Sequence, residues 1–149
     1  MITLYTDGAA KGNPGPGGYG TVLIFGKHRK ELTQGFRLTT NNRMELLAVI
    51  VGLEALKTNE YPVTIYSDSK YVVDAINKGW LDNWVKKGFK GKKNVDLWQR
   101  FLPLKKRFRL NFKWVKGHAG IPENERCDEL AVQSAEGANL LVDEGFENQ

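Results

Sequence analysis

The glycine-rich stretch "GPGGYG", residues Gly15–Gly20, follows the first apolar segment and matches the pattern G-x-G-x-x-G. This pattern marks a dinucleotide-binding loop only where its last glycine opens a helix whose N–H groups hold the pyrophosphate. Here the next residues, "TVLIFGKH", are β-branched or aromatic and run into a turn, so they predict a β-hairpin. Two prolines in the loop also lack the N–H groups that a phosphate would need. We therefore exclude a dinucleotide site and expect the glycines to serve a tight turn close to a bulky ligand.

The rest of the chain predicts an α/β fold. The predicted strands are 2–6, 19–26, 30–38, 63–67 and 109–116. The predicted helices are "TTNNRMELLAVIVGLEALKTN", "SKYVVDAINKG", "NVDLWQRFLPLKKR", with a kink or end at Pro103, and "PENERCDELAVQSAE". The order β-β-β-α-β-α-α-β-α implies a five-stranded mixed sheet with helices on both faces.

Composition limits the class of protein further. The length of 149 residues and the 41% hydrophobic content fit one domain, residues 1–149, without repeats or a linker. No apolar run approaches the roughly 18 residues of a membrane span, and "MITLYTDG" lacks the features of a secretory signal. The single cysteine, Cys127, excludes an internal disulfide and fits a reducing compartment. We expect a cytoplasmic protein with no membrane partner, and we expect the acidic residues 140–149 to fray.

Positive charge is concentrated in residues 78–93, where six lysines and one acid, Asp82, carry the whole formal net charge of +5. Trp80, Trp84 and Phe89 lie among these lysines. Aromatic rings beside cations suit a groove that follows a nucleic-acid backbone. Two simpler interpretations remain open: a solvated lysine-rich loop, and tryptophans that anchor the segment to the core.

Two carboxylates follow apolar strands. Asp7 ends the first predicted strand and Asp68 ends "VTIYS", and sites in such sheets lie beyond the carboxyl ends of parallel strands. On the first helix, Arg43, Glu54 and Lys57 mark a polar face, and Glu45 lies about 200° from Arg43. Glu45 is therefore expected to point toward the sheet.

A fourth carboxylate, Asp128, lies between Cys127 and Leu130 in the last helix, one turn after Asn124. Taken singly, each acid has a simpler interpretation, such as a helix cap or a solvated side chain. Converging carboxylates repel one another, however, and a cluster of them needs a cation. Oxygen ligands with open positions suit Mg²⁺ or Mn²⁺, and two such ions can promote hydrolysis of a phosphodiester. An acidic metal cluster beside a basic segment predicts a nuclease.

Five ordered motifs then support a specific resemblance: "YTDGAAKGNPGPGGYG", "TTNNRMEL", "YSDSKYV", "KNVDLWQR" and "WVKGHAGIPENERCDELA". Over nearly its whole length the chain resembles bacterial type 1 ribonuclease H, of the ribonuclease H-like superfamily. The resemblance implies sequence-nonspecific hydrolysis of the RNA strand of RNA–DNA hybrids, with two Mg²⁺ ions, or Mn²⁺ as a substitute. It also implies 5′-phosphate and 3′-hydroxyl products and a monomer.

The resemblance also implies roles for individual residues. The metal ligands fall on Asp7, Glu45, Asp68 and Asp128, and His118 matches a loop histidine that assists proton transfer or product release. Glu123 is assigned to product release. The substrate-binding positions are Asn13, Thr40, Asn41, Asn42, Lys70, Trp80, Trp84, Lys86, Lys87, Asn94 and Asn124. Thr40 and Asn94 match a pocket for a phosphate of the DNA strand, and residues 78–94 match a basic protrusion that binds this strand.

Two positions depart from the family pattern. Lys70 stands where relatives often carry glutamine, and a lysine cannot accept a hydrogen bond from a ribose 2′-hydroxyl. Leu38 stands where an arginine is often found near the phosphate pocket. These departures predict a phosphate contact for Lys70 and a weaker phosphate grip.

Overall fold

The computed structural model describes all 149 residues. The strands are β1 (Ile2–Ala10), β2 (Gly15–Phe25), β3 (His28–Thr39), β4 (Val63–Ser67), β5 (Leu110–Trp114) and β6 (Leu140–Leu141). The helices are α1 (Asn41–Glu54), α2 (Lys70–Asn77), α3 (Trp80–Lys86), α4 (Val95–Arg107), α5 (Pro122–Glu136) and α6 (Glu144–Glu147).

The strands form one mixed sheet in the order β5-β4-β1-β2-β3-β6. β1, β2 and β3 pair antiparallel, as the hairpin prediction requires, whereas β4 pairs parallel with β1 and with β5. The predicted α/β class and mixed sheet are confirmed. The sheet has a sixth strand, β6, because two residues of the C-terminal region pair with Gly35 and Phe36 of β3.

Helices cover both faces of the sheet. Successive residues of a strand point to opposite faces, so neighbouring residues of β2 contact different helices. In β2, Thr21 points toward α1 and donates a hydrogen bond to the carbonyl of Ala48 at 2.7 Å. The neighbouring Gly20 faces α5, where an added Cβ would lie 2.3 Å from the carbonyl oxygen of Cys127. The glycine-rich stretch therefore serves the close packing of α5 on the sheet as well as the turn.

The parallel strands β1 and β4 lie side by side, and their carboxyl ends meet at the same edge of the sheet. Their pairing ends at Thr6 opposite Ser67, so Asp7 and Asp68 are the next residues on the two neighbouring strands. β1 itself is longer than predicted and continues to Ala10, because these residues still pair antiparallel with β2. The two aspartates thus lie side by side, as expected for the carboxyl ends of parallel strands.

The C-terminal residues 140–149 were expected to fray, but in the structure they form regular elements that pack on the domain. They form β6 and α6, and the Asp143 side chain is buried, where it accepts a hydrogen bond from Thr39 at 2.7 Å. Two smaller differences concern helices. Residues 80–86 of the basic segment form α3, and α4 continues past Pro103 to Arg107. No helix in the structure combines the length and apolar character required to cross a bilayer.

Candidate active site

Three carboxylates from three different elements converge at this edge of the sheet. One oxygen each from Asp7, Glu45 and Asp68 lies within 4.8 Å of the other two. Asp7 comes from β1, Glu45 from α1, and Asp68 from the segment that joins β4 to α2. Long-range folding, rather than a local loop, therefore builds the cluster.

Glu45 reaches the sheet because α1 approaches β1 very closely at Gly8. An added Cβ at Gly8 would lie 2.3 Å from the backbone nitrogen of Glu45, so only glycine permits this contact. The helix begins after Thr40, whose hydroxyl accepts a hydrogen bond from the N–H of Arg43. Glu45 is the fifth residue of α1 and only 5% exposed. Its position excludes the simpler interpretation of a carboxylate at the helix N-terminus.

Asp68 is also free of a structural capping role. The N-cap of α2 is Ser69, whose hydroxyl accepts a hydrogen bond from Val72 N–H at 3.2 Å. The indole Nε1 of Trp114 donates to the backbone carbonyl of Asp68 at 3.0 Å and holds this residue from β5. The carboxylate of Asp68 is therefore left to face Asp7 and Glu45.

The cluster is electrostatically strained in the absence of a cation. Burial, followed by the nearby Asp68 carboxylate, raises the pKa of Asp7 to about 7. Burial and the charges of Asp7 and Asp68 raise the pKa of Glu45 well above its ordinary value. The only nearby backbone N–H recorded for Asp7 is that of Gly8, which donates to Oδ1 at 2.8 Å. Like charges held together in this way favour either a proton or a metal ion.

Three buried oxygen atoms at the site accept no hydrogen bond: Oε1 of Glu45, Oδ1 of Asp68 and Oδ1 of Asn124. Buried acceptors without a donor are rare, because each costs about 1–3 kcal/mol. All three are hard oxygen ligands, the type that Mg²⁺ and Mn²⁺ prefer. The residues present therefore fit a divalent cation.

Asp128 and His118 border the same cleft as Asp7 and Asp68. Asp128 lies on α5, outside the group of three oxygens within 4.8 Å, although its charge contributes to the raised pKa of Asp7. His118 is exposed in the loop between β5 and α5 and has φ of 57°, in the left-handed region that non-glycine residues seldom adopt. The loop presses close to the cluster, since an added Cβ at Gly117 would lie 2.9 Å from Oδ2 of Asp68.

The structure places Glu123 away from the cleft. Its carboxylate pairs with Arg29 of β3 at 3.2 Å, and Glu125 lines the cleft instead. Glu125 precedes Asp128 by three residues, and residues three apart share one face of a helix. This spacing could have identified Glu125 from the sequence, whereas Glu123 is five residues from Asp128 and falls on another face.

A second cavity, of about 210 Å³, lies at the N-terminus of α1. We call it the Thr40–Asn94 groove, and its lining residues are Asn13, Thr40, Asn42, Lys93, Asn94, Phe146 and Gln149. It brings together four of the predicted substrate-binding residues. A fifth, Asn41, is exposed beside it and donates its backbone N–H to Oδ1 of Asn13 at 3.1 Å.

The predicted substrate-binding residues of the basic segment divide into two groups. Trp84 packs against the hydrophobic core and contacts Tyr71 and Trp98, so it anchors the segment. Trp80 is 41% exposed, and Lys86 and Lys87 are exposed without an ion-pair partner. The basic segment thus presents unpaired lysine side chains next to tryptophan rings.

Lys70 is exposed at the start of α2, and its Nζ lies 4.9 Å from the ring centroid of Trp114. Because Trp114 also holds the backbone of Asp68, this cation lies close to the acidic cluster. The position suits a contact with an anionic ligand better than hydrogen-bond acceptance, which an ammonium group cannot provide.

Arg43 departs most clearly from the sequence analysis. It was expected on the polar face of α1, but its side chain is 1% exposed and pairs with Asp96 and Asp143. Both partners are distant in sequence, and neither was identified as a neighbour of α1. The ion pairs compensate for the burial of the charge, which helical periodicity alone would assign to solvent.

Comparison with known proteins identifies the family. The family model described as RNase H matches residues 1–136. The ribonuclease H of Rippkaea orientalis is 56% identical over 153 residues, covering 99% of this chain and 93% of that protein. The structure of LC9-RNase H1, a type 1 RNase H with the type 2 active-site motif, superposes with a TM-score of 0.82 at 32% identity, covering 99% of this chain and 79% of that one.

LC11-RNase H1, solved in complex with an RNA/DNA hybrid, superposes with a TM-score of 0.72 at 26% identity, covering 91% of this chain and 97% of that one. The family model, the sequence relatives and the structural neighbours thus agree with one another. The chain therefore belongs to the ribonuclease H family, and it is an enzyme of the bacterial type 1 branch of that family.

Proposed function

We propose that this enzyme hydrolyses the RNA strand of RNA–DNA hybrids without sequence preference and leaves 5′-phosphate and 3′-hydroxyl ends. The observation that carries the proposal is the cluster of Asp7, Glu45 and Asp68 with buried oxygens that accept no hydrogen bond. The similarity to LC11-RNase H1, a protein crystallised with such a hybrid, supports the choice of substrate. An acidic cluster beside exposed, unpaired lysines is the arrangement expected of a nuclease that needs divalent metal.

Asp7, Glu45, Asp68 and Asp128 are the residues that would hold two Mg²⁺ ions, with Mn²⁺ as a substitute. When bound, such ions supply an activated water and stabilise the leaving oxygen of the phosphodiester. The carboxylates themselves fix the position of the charge, because β1, α1, the segment between β4 and α2, and α5 each contribute one of them. Asn124 adds a neutral acceptor, Oδ1, on the same side of the cleft.

His118 and Glu125 add two further polar side chains to the site. Both line the cleft, and both side chains are exposed. An imidazole placed in a cleft can act as a general acid or base. We assign proton transfer and product release to His118, and we transfer to Glu125 the product-release role first expected of Glu123.

The amide side chains at the N-terminus of α1 suit recognition of the RNA strand. Asn13, Asn41 and Asn42 offer both donors and acceptors, as a ribose 2′-hydroxyl requires. None of these contacts needs a base edge, so sequence preference is expected to be weak. Lys70, Trp80, Lys86 and Lys87, together with Asn94 and Thr40, are assigned to the phosphates and sugars of the hybrid.

We further propose a monomer that acts as one catalytic domain in the cytoplasm. The thiol of Cys127 is buried, and burial raises its pKa to about 12. It therefore stays protonated and is unsuited to a disulfide with another chain. Sedimentation of the purified protein would test the oligomeric state directly, and a stable dimer would contradict this part of the proposal.

A panel of end-labelled duplexes tests the function. RNA–DNA hybrid, double-stranded RNA and double-stranded DNA of one sequence are incubated with the enzyme in Mg²⁺, Mn²⁺ or EDTA. We expect cleavage of the RNA strand of the hybrid alone, with either metal and not in EDTA. Binding to the hybrid without cleavage would identify a binding protein instead, and equal cleavage of double-stranded DNA would identify a different nuclease of the same fold.

A further inference from the structure

Buried Arg43 uses every donor of its guanidinium group. Nε and Nη2 donate to the two oxygens of Asp143 at 2.8 and 3.0 Å, and Nη1 and Nη2 donate to the two oxygens of Asp96 at 2.8 and 2.7 Å. The fifth contact runs from Nη1 to Oδ1 of Asn94 at 3.5 Å. A guanidinium carries five N–H groups, so this cation is saturated. Arg43 therefore joins α1, the N-terminus of α4 and the C-terminal segment at one point.

The contact with Asn94 determines which way its amide faces. Oδ1 accepts from Arg43, and Nδ2 donates to the hydroxyl of Tyr71 at 3.1 Å. A reversed amide would set its NH₂ group against a saturated cation. Asn94 is the N-cap of α4 but makes no capping hydrogen bond with its side chain. The second N–H of the amide therefore remains available at the Thr40–Asn94 groove.

The C-terminal segment, residues 143–149, supplies a wall of the same groove. Phe146 and Gln149 line it together with residues at the N-terminus of α1, and Lys93 adds an exposed cation to the lining. Thr40 accepts a hydrogen bond from Arg43 N–H, and its own hydroxyl proton is free for a ligand. The groove thus collects donors and positive charge, as an oxyanion requires.

Gly145 lets the segment lie directly on the ion pairs. An added Cβ at Gly145 would lie 1.9 Å from Oδ2 of Asp96 and 2.7 Å from Nη2 of Arg43. No side chain fits there without displacing the segment, the Asp96 carboxylate or the guanidinium that this carboxylate binds. On its other side, the segment is held at the surface by Arg37, which donates two hydrogen bonds to Glu147 at 2.9 and 2.8 Å.

We infer that the C-terminal segment completes the phosphate site of the Thr40–Asn94 groove, and that Arg43 is a positioning residue that sets both this segment and the Asn94 amide. The inference rests on the proposed function in one respect, because the ligand of the groove is a backbone phosphate of the hybrid. It assigns a substrate-binding task to residues 143–149 and a positioning task to a cation that never touches substrate. Substrate affinity, rather than the rate of the chemical step, should depend on how this segment packs against Arg43 and Asp96.

The test substitutes Gly145→Ala and measures affinity for a fluorescent RNA–DNA hybrid by anisotropy in EDTA, with KM and kcat measured separately in Mg²⁺. The matched control is Gly137→Ala, because a Cβ at Gly137 meets its nearest neighbours at ordinary distances of 3.4 and 3.5 Å. We expect Gly145→Ala to weaken hybrid affinity and raise KM about tenfold, the loss expected for one hydrogen bond to a charged group. Its kcat should stay within about twofold of wild type, and Gly137→Ala should change neither quantity.

Coupling to Asn94 separates positioning from a general loss of structure. Asn94→Ala should weaken affinity in the wild-type background but cost little more in the Gly145→Ala background, since the amide is already misplaced. Should Gly145→Ala fail to fold, as judged by circular dichroism, Arg37→Ala loosens the same segment from the surface. The expected rise in KM for Arg37→Ala is about twofold to threefold.

The outcomes distinguish this inference from the proposed function. Unchanged affinity in Gly145→Ala, with wild-type cleavage of the hybrid, would overturn the inference and leave the function intact. Wild-type protein that binds the hybrid in a Gly145-dependent way but does not cleave it would overturn the catalytic proposal alone. Additive effects of Gly145→Ala and Asn94→Ala would show that Arg43 does not position the amide and would also overturn the inference.

Discussion

Helix α1 carries two buried ionisable side chains, Arg43 and Glu45. Arg43 is surrounded by groups of opposite charge, whereas Glu45 is surrounded by groups of like charge. Arg43 is 1% exposed, and two carboxylates and an amide take all its donors. Glu45 is 5% exposed, has two further carboxylates as neighbours and keeps an oxygen that accepts no hydrogen bond. Burial alone would lower the pKa of Arg43, but hydrogen bonds with Asp96 and Asp143 outweigh it and raise this pKa. The pKa of Glu45 is raised by burial and by its neighbours, which disfavours its charge.

The difference separates a structural charge from a functional one. A buried charge that is fully paired holds the fold together, and removing it leaves its partners uncompensated. A buried charge among like charges lowers stability and persists where a ligand compensates it. The contrast predicts that substitutions at the two kinds of site change different measured quantities.

The largest expected effect is on activity, at the unpaired cluster. Asp7→Asn should lower Mg²⁺-dependent cleavage of the hybrid by at least about 1000-fold, since metal-assisted stabilisation of several kcal/mol is lost. Single-turnover assays measure the rate, and circular dichroism checks the fold. Full activity in this variant would remove the acidic cluster from the mechanism.

The next effect is on stability, at the paired cluster. Arg43→Ala should lower the free energy of unfolding by about 3–5 kcal/mol, because Asp96 and Asp143 lose a buried partner. Arg100→Ala is the control, since Arg100 pairs with Glu54 at the surface and should lose less than about 1 kcal/mol. Urea denaturation measures both. Similar losses in the two variants would mean that the buried Arg43 ion pairs contribute no more to the free energy of unfolding than a surface ion pair does.

Exposed, unpaired charge extends the comparison to the basic segment. Lys86, Lys87, Lys90, Lys92 and Lys93 form no ion pair within the chain. Replacing all five with Gln should flatten the dependence of hybrid affinity on salt, with the slope of log K against log salt falling by up to about 4. Lys27 in the β2–β3 turn and Lys30 near the start of β3, at the opposite end of the sheet, provide the control. An unchanged slope would move the binding face elsewhere.

The smallest effect is a gain in stability. In EDTA, the raised pKa values of Glu45 and of Asp7, the latter about 7, imply stability that is full below the unfolded pKa near 4 and is lost as pH rises toward 7. Glu45→Gln should therefore raise the free energy of unfolding at pH 8 by about 1 kcal/mol. Between pH 5 and 8, the free energy of unfolding should fall less in this variant than in the wild-type protein. Urea titrations at the two pH values measure both quantities. A loss of stability at pH 8 would show that the unpaired charge is not a burden.

Much of the candidate active site was predictable, because each of its carboxylates is positioned by the local geometry of its own strand or helix. Asp7 and Asp68 follow the last residues of neighbouring parallel strands, and an angle of about 200° turns Glu45 toward the sheet. These are properties of strand order and helical pitch, which a sequence carries. The confirmed mixed sheet follows from the same alternation of strands and helices.

The parts that sequence reasoning missed depend on distant partners. Arg43 was assigned to solvent because its carboxylate partners lie 53 and 100 residues away, and nothing near it in the chain announces them. The structure of residues 140–149 was missed for the same reason, since Asp143 is hydrogen-bonded to Thr39 and Arg43, both about 100 residues away in the chain. By contrast, helical spacing alone could have placed Glu125, rather than Glu123, beside Asp128.

The central claim is that the cluster of Asp7, Glu45 and Asp68 has no counter-charge within the protein and binds divalent metal. Titration of Mn²⁺ into the enzyme, followed by electron paramagnetic resonance of the free ion, measures this directly. With a bound hybrid whose RNA strand has been made resistant to cleavage, the wild-type protein is expected to take up two ions, and Asp7→Asn is expected to lose at least one of them. Equal uptake by wild type and Asp7→Asn, or no uptake by either, would contradict the account.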